Sequence, residues 1–164
     1  MWDKFGEFDT FSEINELAEN LFNEGDTDSI KILAKENGIP ADFVKMYIMG
    51  DIQELTDAAT AAVGKIDVEA KELKIKGLMK DWASYVQSIC LESDDIAVAV
   101  RKKKNSLQGC IAELLKYSFK NQWEVPSKIL KAADVKASKV TFGVPDMAKA
   151  KEIIRGYYVK GGRK

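Results

Sequence analysis

The chain contains no histidine at all, and only 2 cysteines and 3 prolines among 164 residues. Without histidine, the usual proton shuttle of nucleophilic and acid–base catalysis is missing. Two cysteines exclude a disulfide framework, and with no histidine beside them they exclude a classical zinc site. No apolar run approaches the 18 or more residues that span a bilayer. The opening Met1-Trp2-Asp3-Lys4 lacks the apolar centre of a signal peptide. Neither G-x-x-x-x-G-K-[ST] nor G-x-G-x-x-G occurs, so the glycine-rich phosphate cradles are missing as well. These absences lead to the expectation of a reduced, cytoplasmic, non-enzymatic protein without cofactor, metal or membrane contact.

What is present is 46% hydrophobic and 31% charged side chains, enough for one domain or two small helical ones. The formal charge of −1 hides a strong polarity. Residues 1–60 carry 4 Lys against 14 Asp and Glu, whereas residues 101–164 carry 16 Lys and Arg against 5 acids. Such asymmetry speaks to partners or to packing of one part on the other.

Helical periodicity runs nearly throughout, and the sequence reads as all-α. Thr10-Phe11-Ser12-Glu13 has the form of a capping box before a helix with Phe11, Ile14, Leu17, Ala18, Leu21 and Phe22 on one stripe. Gly25 stops it, and helices follow over about 27–37 and 40–49, ended by Gly38 and Gly50. A fourth is expected over 52–63. Residues 65–76, mixed in charge and weakly periodic, read as a connection between an acidic module (1–64) and a basic one (77–164). In the second module helices are expected over about 76–91, 95–103, 106–121, 125–133 and 146–159. Val140-Thr141-Phe142 reads as extended, and the tail 160–164 as disordered.

The segment Leu33–Ile48 has the cadence of a helix-turn-helix, but its second helix offers only Ala41, Asp42 and Lys45 in acidic surroundings. It reads better as a hairpin used for structure or protein contact, because acidic surroundings repel the duplex. Asp26 and Asp28, like Asp94 and Asp95, stand at helix starts, where acids complement the dipole. Asp26-Thr27-Asp28 lacks the glycine and final glutamate of a calcium loop. Cys90 and Cys110 lie on apolar faces as buried thiols. Arg101-Lys102-Lys103-Lys104 is the densest cationic cluster. Lys116, Lys120, Lys128, Lys131, Lys136 and Lys139 continue it, with Tyr117 and Trp123 interleaved. Basic and aromatic groups together can hold phosphates and stack bases; the alternative is a solvated lysine rim around core-edge aromatics.

The run Lys104-Asn105-Ser106-Leu107-Gln108-Gly109-Cys110, followed by Val140-Thr141-Phe142-Gly143-Val144-Pro145 and the Tyr157-Tyr158 end, resembles the PcfK-like family of mobile-element proteins. The similar stretch covers about residues 96–159. Members of that family occur on conjugative elements and prophages, and some relatives inhibit type II CRISPR effector nucleases. The resemblance implies a protein of that kind, partnered by a guide-RNA-loaded nuclease in a bacterial cytoplasm. Such a nuclease offers basic channels for DNA. An acidic helical surface at Glu13, Glu16, Glu19, Glu24, Asp26 and Asp28 could fill one, while Arg101, Lys102, Lys103 and Lys104 meet RNA or duplex DNA. Two other readings stand beside it: a small DNA-binding accessory or regulator, and a scaffold whose acidic and basic ends pair between copies.

Overall fold

A computed structural model describes residues 1–160. The described residues are all-α apart from one two-residue-deep ribbon: α1 (Phe11–Asn23), α2 (Thr27–Glu36), α3 (Ala41–Met49), α4 (Ala58–Glu72), α5 (Leu78–Glu92), α6 (Asp94–Arg101), α7 (Leu107–Lys120), β1 (Trp123–Glu124), α8 (Ser127–Ala132), β2 (Thr141–Phe142) and α9 (Met147–Val159). Among the described residues no helix is long and apolar enough to cross a membrane. The expected disorder at 160–164 falls outside the described residues except at Lys160, the C-cap of α9.

Five helices start on the same device, a side-chain oxygen accepting from the backbone N–H three residues on: Thr10, Asp26, Asp57, Ser106 and Asp146. The capping box at Thr10 is shifted by one residue, because Glu13 Oε2 accepts from the backbone N–H of Asp9 at 2.8 Å rather than from that of Thr10. Asp57 also explains why the fourth helix begins later than its apolar pattern implies. Residues 50–57 instead form a loop fixed by Asn15, whose amide donates to the Thr56 carbonyl (2.8 Å) and accepts from the Thr56 N–H (3.0 Å).

Two apolar clusters form the interior. One gathers Ile14, Ala18, Leu21, Ile30, Leu33, Val44 and Tyr47 from α1–α3 with Leu55 and Ala61. The other gathers Ala62 and Ile66 with Trp82, Val86, Ile89, Val100, Leu107, Leu114, Ile154 and Tyr158 from α5, α6, α7 and α9. Adjacent residues of α4, Ala61 and Ala62, thus serve different clusters. This corrects the expected connection at 65–76: most of that stretch is the second half of α4, which packs on α5, α6 and α7. The charge pattern concealed it, because Lys65 and Glu69 lie on the buried face. The α2–α3 turn is pinned to the same helix. Gly38, at φ +67°, lies against Gly64 so closely that a Cβ on either would collide with the other's backbone.

Candidate functional site

The expected cationic cluster divides sharply. Arg101 is 1% exposed and does not face solvent, which corrects its assignment to nucleic-acid contact. It ends α6 and points inward, donating from Nη2 to Asn37 Oδ1 at 2.6 Å in the α2–α3 turn. Burial pulls its pKa down, against the holding effect of Glu7, Glu69, Glu13 and Asp9. Lys65, fully buried, lies in the same interior, its ammonium donating to the carbonyls of Lys102 (2.8 Å) and Arg101 (3.3 Å). Glu7 Oε1 stands 2.9 Å from that ammonium, off the line of a hydrogen bond. Glu69 Oε2 accepts from the Leu107 N–H at 2.5 Å, and its Oε1 lies 3.8 Å from Lys65.

This interior network ties four distant stretches together: the N-terminal strap (residues 1–10), the α2–α3 turn, α4 and the α6–α7 turn. The strap is further held by Glu36, whose carboxylate accepts from the backbone N–H groups of Asp3, Lys4 and Phe5. Asp9 accepts from the Lys103 N–H at 2.9 Å. The backbone of the basic turn is therefore structural, while the side chains of Lys103 and Lys104 reach solvent and Lys102 is half-buried. Sequence reasoning missed Lys65 and Glu69. Their spacing was the available signal, since positions 58, 61, 62, 65, 66 and 69 share one helical face.

The acidic positions are all exposed but not equally free. Glu13 is engaged at Asp9. Asp26 caps α2 through the Ser29 hydroxyl and N–H, which hold its carboxyl below the ordinary range. Asp28 pairs with Lys31 at 2.8 Å. Glu16, Glu19 and Glu24 have no ion pair or hydrogen bond from their carboxylates among the described residues. Glu16 and Glu19 lie on the outward side of α1, opposite Ile14, Ala18 and Leu21, and Glu24 is its C-cap.

The helix-turn-helix-like pair exists as α2 and α3. Its turn is locked by Gly64 and Arg101, and the outward side of α3 offers Lys45 only as a partner of Asp42 at 3.3 Å.

Residues 121–146 form an arm between α7 and α9. Trp123 pairs across from Phe142 and Glu124 from Thr141, antiparallel, with α8 in the excursion between the strands. Only Val125 and Pro145 in this stretch are buried. Its root is set by Gly143, where a Cβ would collide with the Ser118 carbonyl of α7. Directly opposed residues of a ribbon emerge on the same side, so Trp123 (52% exposed) and Phe142 (56%) stand together in solvent. Phe119, on the last turn of α7, is more exposed still. Lys120, Lys128, Lys131 and Lys136 have no ion pair among the described residues, while Lys139 lies 3.7 Å from Glu124 and Lys116 is paired with Glu113. Tyr117, by contrast, is half-buried beneath the Lys149 ammonium.

Cys90 and Cys110 are buried, each thiol pushed up to about 12 by burial. Among the described residues no three Cys, Asp or Glu side chains converge to hold a metal ion.

Compared with known proteins, the chain matches no family model, no curated protein and no solved structure. The resemblance at Ser106–Cys110, Gly143–Pro145 and Tyr157-Tyr158 accordingly stands on those residues alone. Within the fold, Ser106 caps α7 and its backbone N–H donates to the Tyr157 hydroxyl at 3.3 Å, while Gly109 leaves room for that same hydroxyl. Two parts of the similar pattern therefore meet in space.

Proposed function

We propose that this chain is a non-enzymatic protein of a mobile genetic element that binds and inhibits a type II CRISPR effector nuclease with its guide RNA, in the cytoplasm of a bacterial host. The observation that carries the reading is the acidic surface at α1, where Glu16 and Glu19 on its outward side and Glu24 at its C-cap are exposed and unneutralised while the other side of the helix is buried. Glu16 and Glu19 are spaced by about 4.5 Å along the axis, and Glu24 extends the acidic surface past the last turn. A cluster of carboxylates held at one helix can take the place of DNA phosphates in a basic channel.

The test is plasmid cleavage by a purified effector, with the protein added before or after the target. Inhibition is expected only when the protein is added first. Glu16→Lys/Glu19→Lys/Glu24→Lys is expected to weaken it at least tenfold without altering the helical circular dichroism. Inhibition independent of order, or untouched by the triple reversal, removes the DNA-surrogate reading.

A second reading, a small nucleic-acid-binding accessory of a conjugative element or prophage, is favoured by the arm. The paired Trp123 and Phe142 among free lysines have the composition of a stacking platform for single strands. Binding of a labelled oligonucleotide that weakens steeply with salt, and is lost in Trp123→Ala/Phe142→Ala, is the result this reading requires.

A further inference from the structure

Between α4 and α5 lies a groove of about 500 Å³ that none of these surfaces uses. Its floor is apolar, formed by Ile66, Ala70, Ile75 and Ala83. Around it stand Lys71, Lys74, Lys76 and Lys80, all exposed and without an ion pair among the described residues. One acid, Asp67, joins the lining, and its Oδ1 is occupied by the Gln87 amide at 2.7 Å. Four lysines thus border an apolar shelf, within residues 61–100, where 5 Lys stand against 7 Asp and Glu.

The backbone adds a second observation. Helices α1, α2 and α3 all pass into a left-handed residue at their C-terminal end, and each places a glycine there: Gly25 (φ +75°), Gly38 (+67°) and Gly50 (+81°). Helix α4 closes in the same way, with the Ile75 N–H reaching the Ala70 carbonyl, yet the left-handed position is Lys74 (φ +51°), as it is Asp134 (φ +51°) after α8. A side chain is held there at a conformational cost that glycine would relieve. Non-glycine residues kept in this region concentrate where their side chains are needed, and here the side chain belongs to the rim of the groove.

We infer that this groove binds a nucleotide, its base laid on the Ile66–Ala70–Ile75–Ala83 shelf and its phosphates against Lys71, Lys74, Lys76 and Lys80. The volume lies in the range of small-molecule sites. A shelf that is not enclosed accepts a flat ring, whereas an acyl chain calls for an enclosed tunnel. Four cations match a group bearing several phosphate charges better than a single carboxylate. The Ser84 hydroxyl is on the lining to meet a polar base edge. The nucleotide is either a free nucleoside polyphosphate or a unit of a single strand, and both present the same chemistry. The inference is independent of the α1 surface and of the arm.

The test is an amide chemical-shift titration of the full chain with three probes: ATP, a thymidine hexanucleotide and inorganic tripolyphosphate. Saturable shifts confined to residues 66–87, with a Kd below about 1 mM, are expected for ATP or for the hexanucleotide. ATP alone identifies a free nucleotide, and the hexanucleotide alone identifies a strand. Tripolyphosphate should bind at least about fivefold more weakly, since it leaves the shelf uncovered. Lys74→Gly separates charge from folding, because it should raise Tm by a few degrees while weakening binding about fivefold. Lys80→Ala should weaken binding likewise without raising Tm. The inference is overturned if neither nucleotide probe shifts residues 66–87, if shifts appear only at 119–147, if tripolyphosphate binds equally well, or if Lys74→Gly binds like the wild type.

Discussion

Arg101 and Lys104 stand three positions apart in one basic run, and their surroundings give them opposite roles. A guanidinium buried among Glu7, Glu69 and Asn37 is an internal tie; an ammonium on a turn is a surface charge. Removing one member of a buried charged network strands the others, so Arg101→Ala should cost about 3–5 kcal/mol. Lys104→Ala should stay within about 0.5 kcal/mol of wild type. Urea denaturation of the two variants checks both figures. Glu69 supplies a pH signature of the same network. Burial pushes its carboxyl above the ordinary 4.5, against the pull of the Leu107 N–H and of Lys65. The folded protein therefore keeps this proton to higher pH than the unfolded chain does, and within that window it binds more protons. Stability must then fall as pH rises upward from 4.5 through the folded value. Glu69→Gln removes the contribution, and denaturation at a series of pH values should show a correspondingly less negative slope for the variant. The cysteines were legible from their apolar spacing alone. With thiols near 12, neither should react with a disulfide reagent at pH 8 until the protein unfolds.

Helix by helix, the sequence is legible wherever a cap and an apolar stripe coincide. α1, α7 and α9 begin on Thr10, Ser106 and Asp146 as their residue types imply. It misleads at α4, where alanine, glycine and paired charges replace the large aliphatics that announce a buried face. That helix is narrow because other backbones approach it closely, as at Gly64. In an exposed helix, exchanging glycine for alanine gains about 1 kcal/mol. Here Gly64→Ala drives a Cβ into the Asn37 and Gly38 backbone, and the sign should invert to a loss of about 2–3 kcal/mol, read as a lowered denaturation midpoint. The arm is the opposite case. Its strands are two residues long and, within residues 121–146, bury only Val125 and Pro145, far short of what a ribbon needs to stand alone. Because Trp123 and Phe142 already bring its ends together, replacing residues 122–142 with a short glycine–serine turn should leave Tm within a few degrees, by calorimetry. A large drop would mean that the arm supports the fold rather than projecting from it.

At the scale of the whole molecule, the charge asymmetry suggested two modules in series, and the packing joins them. An acidic stretch and a basic one can be separate bodies or one body with two faces, and net charge does not distinguish these. What decides is where apolar surface and buried charge lie. Ala61 and Ala62 direct α4 into both clusters, and Arg101 reaches from α6 to the α2–α3 turn. Glu7 brings the N-terminal strap to Lys65. Opening the boundary would expose both sides of α4 and leave Lys65, Glu69 and Arg101 without their partners, a cost no flexible connection carries. The two clusters should therefore unfold together. Trp82 lies in the second cluster and Tyr47, packed against Phe22, in the first, so the indole resonance of Trp82 and the ring resonances of Tyr47 report on each side. Their urea transitions should share a midpoint and a slope. Two separated transitions would restore the picture of linked modules, and early proteolytic cleavage within 65–76 would do the same; cleavage is expected instead in the arm, where exposed backbone is least held.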